Sequence, residues 1–71
     1  MKFIKNTIPK AGQQAYYNEN HYVIILVANS TVVESKKDKF PLTVCYSPIN
    51  DPTKVYALPY WYFNKFYSYL E

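Results

Sequence analysis

The chain has 71 residues, 49% hydrophobic and 20% aromatic, with a net charge of +3 from eight lysines against five acids. That length fits one domain, residues 1–71, near the lower limit for folding without a covalent or metal staple. A single cysteine, Cys45, excludes an intrachain disulfide and a cysteine zinc cluster, and a single glycine, Gly12, excludes a glycine-rich phosphate loop.

In chain order, residues 3–10 predict a short first strand, ended by Pro9 and Gly12, and residues 13–20 read as a polar loop carrying Tyr16 and Tyr17. Residues 22–28, Tyr-Val-Ile-Ile-Leu-Val-Ala, are β-branched and apolar at both alternating sets of positions, as in a central strand covered on both faces. Asn29-Ser30 signals a turn, after which residues 31–34 predict a second strand closing a hairpin. Residues 35–39 form a charged loop with Lys36, Lys37 and Lys39. Residues 42–47 alternate strictly, which assigns Leu42, Val44 and Tyr46 to the core and Thr43, Cys45 and Ser47 to the outer side. A turn-rich stretch with Asn50-Asp51-Pro52 leads to a last strand over 54–58. Pro59 suits the first turn of a helix, because its missing N–H is not needed there. From that start Phe63, Phe66, Tyr67 and Leu70 fall on one helical stripe, with Tyr60, Tyr62 and Tyr69 off it. The fold expected is mainly β: a small SH3-like barrel or a bent antiparallel sheet of four to five strands, with a short C-terminal helix.

The last sixteen residues carry more than half of the aromatic rings. So small a body cannot enclose all of them, and exposed rings point to a contact surface. Tyr16, Tyr17, Tyr56, Tyr60, Trp61 and Tyr62 are the candidate partner-binding set, since tyrosine and tryptophan bring large area at low entropic cost. Lys36, Lys37 and Lys39 are candidate contacts to an anion or nucleic acid. With no arginine in the chain, bidentate reading of guanine is not expected.

From residue 17 to 66 the chain resembles a family of short, largely uncharacterised SH3-like barrels of bacteria and phages. The likeness rests on Tyr22 with Val23 or Ile24, on Ala28 and Thr31, on Thr43-Val44-Cys45-Tyr46, and on Tyr56 to Phe63 with Pro59 and Phe63 in register. It implies an SH3-like fold and no particular activity.

No catalytic chemistry is legible. Cys45 has no histidine or acid near it in sequence, and His21, the only histidine, reads as a surface or capping residue. The acids are scattered without metal-ligand spacing, so no metal or cofactor is expected. The N-terminal residues lack the apolar run of a secretory leader, and the stretch 22–28 is too short to cross a bilayer, so a cytoplasmic site is expected. The bias to Lys, Asn, Ile, Tyr and Phe suggests AT-rich coding, as in a low-GC bacterium or its phages; a phage product would act in the host cytoplasm. The favoured expectation is a non-enzymatic protein-interaction module, a small phage or mobile-element inhibitor or adaptor acting on a host or anti-phage defence protein. The alternatives are a small-barrel nucleic-acid binder using lysines and ring stacking, and a homodimer joined through the aromatic flank.

Overall fold

The computed structural model describes residues 3–4 and 6–70; Lys5, inside the first expected strand, lies outside them. The chain is mainly β, with strands β1 (Phe3–Ile4), β2 (Gln14–Tyr17), β3 (Asn20–Ala28), β4 (Thr43–Pro48), β5 (Tyr56–Pro59) and β6 (Ser68–Leu70), and one helix, α1 (Tyr60–Phe66). The strands form a six-stranded antiparallel sheet in the order β1-β6-β2-β3-β4-β5. Its outer strands, β1 and β5, do not pair with each other, so among the described residues the sheet is open. No described helix is long and apolar enough to cross a membrane.

Several sequence expectations are corrected. Part of the supposed loop 13–20 is strand β2, joined to β3 by a tight turn in which Asn18 takes φ 56°. Asparagine tolerates that left-handed conformation because its short side chain bonds locally. Gly12, at φ 91°, donates its N–H to the Ile24 carbonyl at 2.8 Å and so extends the pairing with β3. Residues 31–34 are not a strand: the chain turns there and enters a 3-10 turn, Glu34–Lys36. The side chain of Asn29 instead bonds the Pro41 carbonyl at 2.9 Å, which closes the base of this long loop. The predicted helix stops at Phe66, and its expected last turn is β6, inserted between β1 and β2.

One face of the sheet builds the core. Ala15, Ile24, Val44, Tyr46, Phe63, Tyr67 and Tyr69 are buried, and Ile4, Tyr22, Val27, Leu58 and Tyr60 pack against them. β4 follows its predicted alternation at Val44 and Tyr46, whereas Ser47 is enclosed rather than open. β3 is not covered on both faces, because Ile25 and Leu26 are exposed. A β-bulge between Ile24 and Leu26 explains the pattern. The extra residue shifts the alternation by one, so Val27 turns to the core and Leu26 turns away from it.

The N-terminal segment is tied to the helix. Asn6 and Asn64 bond each other twice, N–H to Oδ1 at 2.8 Å and Nδ2 to Oδ1 at 2.9 Å. The Tyr69 hydroxyl donates to the Thr7 carbonyl and reaches Asn64 Oδ1 at 3.3 Å.

Candidate functional site

Seven residues of helix present one ring to the sheet and several to solvent. Phe63 is fully enclosed, while Trp61, Tyr62 and Phe66 are exposed. Tyr62 and Phe66 stand four apart on one helical face, with ring centroids at 4.9 Å. Trp61 meets Tyr62 edge-on at 5.6 Å, and Tyr17, from the end of β2, meets Phe66 at 6.2 Å. Trp61, Tyr62, Phe66 and Tyr17 therefore form a continuous exposed ladder across the helix and onto the neighbouring strand. Lys65 Nζ lies 5.7 Å from the Phe66 ring centroid and adds a cation to the same surface.

The ladder rests on a rigid floor. Tyr17 contacts Tyr67 at 5.0 Å, and Tyr67 stacks on Phe63 at 4.5 Å with planes only 10° apart. The Tyr67 and Tyr46 hydroxyls share a buried hydrogen bond of 2.7 Å. Burial, and then the bond to Tyr67, raises the Tyr46 hydroxyl far above the ordinary tyrosine value; burial likewise raises Tyr67. Tyr69 is pushed up to about 12, chiefly by burial. The floor stays neutral and fully hydrogen-bonded over the physiological range, and no buried side-chain polar atom among the described residues lacks a partner.

The expected binding set divides. Tyr17, Trp61 and Tyr62 come together on the ladder. Tyr56 is exposed beside it, 6.5 Å from Tyr22, which in turn contacts Tyr67 at 5.6 Å. Tyr60 is half-buried against the core, its N–H bonded to the Leu42 carbonyl at 2.7 Å. Tyr16 stands on the opposite sheet face, because neighbouring strand residues alternate, and there it stacks on His21 at 4.3 Å and meets Phe3 at 5.4 Å. Phe66, assigned by periodicity to the core, is a surface member; its spacing from Tyr62 was the available signal.

Lys36, Lys37 and Lys39 lie in the β3–β4 loop, on and just after the 3-10 turn. His21 Nε2 pairs with Gln14 Oε1 at 2.8 Å, and Cys45 is half-buried on β4. No group of three or more His, Cys, Asp or Glu side chains able to hold a metal occurs among the described residues. Comparison of the chain with protein-family models, with curated proteins and with solved structures finds no match.

Proposed function

We propose that the protein is a non-enzymatic interaction module that docks a protein partner on the ladder of Trp61, Tyr62, Phe66 and Tyr17, with Tyr56 at its margin. The observation that carries this reading is the contiguity of exposed rings over a buried tyrosine floor. Rings held in place before binding lose little freedom on docking, and Trp and Tyr are the usual anchors of protein interfaces. In this reading the chain is a phage or mobile-element inhibitor or adaptor that works in the host cytoplasm by occluding a host or defence protein. Its sheet is then kin to the small SH3-like barrels that residues 17–66 resemble. The test is capture from host lysate with the immobilised chain. A stoichiometric partner held by the native chain and lost by Trp61→Ala/Tyr62→Ala, with unchanged circular dichroism, is the expected result. Absence of any partner, or equal capture by the variant, overturns the reading.

A second reading draws on the lysines. Lys65 beside Phe66 pairs charge with a ring, as in surfaces that stack unpaired bases, and Lys36, Lys37 and Lys39 would extend the charge. Binding of labelled single-stranded oligonucleotides that weakens steeply with salt supports it; no binding at low salt removes it.

A further inference from the structure

Strands β2 and β6 separate at one end of the sheet. Their last pair is Tyr16 with Ser68; beyond it β2 enters the turn at Asn18, and the chain before β6 leads back to Phe66 at the end of α1. The fork leaves a notch of about 300 Å³, lined by Phe3, Tyr16, Tyr17, Asn18, Phe66 and Ser68. Tyr16 and Tyr17 take opposite faces of β2, and both border the notch because no further β2–β6 pair divides the faces there. Four of the six lining side chains are aromatic, and among the described residues none of the lining is charged.

The rings are set before anything binds. Tyr16 is fixed by its stack on His21 at 4.3 Å, its hydroxyl donates to Gln14 Oε1 at 3.2 Å, and Phe3 meets it edge-on at 5.4 Å. Tyr17 lies against Tyr67 at 5.0 Å and meets Phe66 at 6.2 Å. Ring faces are electron-rich and attract cations, most strongly where water is displaced. Phe66 already does so with the Lys65 ammonium, 5.7 Å from its centroid. The described lining supplies no carboxylate to accept the N–H bonds of a primary ammonium. A quaternary ammonium needs none, because its charge is spread over alkyl groups that pack against rings.

We propose that this notch is a binding site for a quaternary ammonium group, held by Phe3, Tyr16, Tyr17 and Phe66. It meets the ladder at Tyr17 and Phe66 but does not include Trp61 or Tyr62. The same group occurs on free choline and on a trimethylated lysine side chain.

The test is titration of the full chain with choline, read from NMR shifts of the four rings. Beside it runs the neutral analogue in which a tert-butyl group replaces trimethylammonium. Choline should bind about 10-fold more tightly, since the shapes match and only the charge differs. Tyr16→Leu alters a ring outside the buried core and should weaken choline binding by roughly 5-fold or more. Lys65→Gln removes the rival cation and should tighten it, while Trp61→Ala/Tyr62→Ala should leave it unchanged. A peptide bearing trimethyl-lysine, set against its unmethylated form, identifies the source. Tighter binding of the methylated peptide than of choline assigns a partner's side chain, and the reverse assigns a free amine. The titration needs no protein partner, so its outcome is separate from that of the capture experiment on the ladder. Equal binding of choline and the neutral analogue, absence of saturable shifts in the four rings, or undiminished binding by Tyr16→Leu would each overturn the proposal.

Discussion

Within eleven residues, 60–70, similar rings meet opposite fates. Trp61, Tyr62 and Phe66 stand in solvent, while Phe63, Tyr67 and Tyr69 are closed off from it. Residue chemistry does not separate the two groups, since both contain tyrosine and phenylalanine. Backbone period does. Along α1 successive side chains rotate by about 100°, so only the position facing the sheet is enclosed. Past Tyr67 the chain is extended, and alternate residues face the same way, so Tyr67 and Tyr69 enter the core with Ser68 between them. The lesson is that a ring-dense segment can fill a core and furnish a surface at once, provided its conformation changes partway.

The sharpest way to break that contrast is to remove one ring from each group. Phe63→Ala should destabilise the chain by about 3–5 kcal/mol, measured by urea denaturation, because a fully enclosed ring leaves a cavity. A loss under about 1 kcal/mol would show that the helix is not packed as described.

Alkali probes the buried group collectively. Tyr69 rises from 10.0 to about 12, and Tyr46 and Tyr67 are also raised. Between the ordinary and the raised value the unfolded chain has released its proton while the native chain keeps it. The unfolded state then binds fewer protons, so stability falls as pH rises. Full stability is expected below pH 10, with progressive loss toward pH 12 and above, and phenolate absorbance should show a late fraction that appears only with unfolding. Titration of all tyrosines in one early step would contradict the enclosure.

The hydroxyl pair gives a smaller and more diagnostic effect. Tyr46→Phe leaves the Tyr67 hydroxyl without its partner and should cost about 1–3 kcal/mol. Tyr46→Phe/Tyr67→Phe removes both polar groups and should recover most of that loss by the same denaturation assay. Smallest of all, Trp61→Ala should change stability by no more than about 0.5 kcal/mol, since 66% of that residue is already exposed. A larger effect would mean that the ladder is part of the fold's support rather than a free surface.

Much of this was legible from residue order. The β-branched run at 22–28 and the alternation at 42–47 mark β3 and β4, and Pro59 marks where β5 passes into α1. β2 was hidden because Gln14 and Ala15 carry no strand preference; pairing with both β3 and β6 holds it. Thr31, Val32 and Val33 have the composition of a strand, but the closed loop from Asn29 to Pro41 gives them no partner strand. Of the candidate site, surplus rings near the C-terminus were evident, and Tyr17, Trp61 and Tyr62 assemble there. Phe66 and Tyr16 were misplaced, the first because α1 turns Phe63 to the sheet and leaves Phe66 on the exposed face with Tyr62, and the second because Tyr16 and Tyr17 take opposite faces of one strand.

By itself the amino-acid order determined a β-rich chain with more aromatic area than one core can shelter, because local period and ring count are properties of neighbours in sequence. Which rings are sheltered was decided only by the tertiary structure. Residues 68–70 fit a helix or a strand equally well over so short a span, and it is the gap between β1 and β2 that takes them as β6. In β3 the bulge at Ile25 likewise follows from pairing with β4, and that one extra residue sends Leu26 to the open face and Val27 to the core.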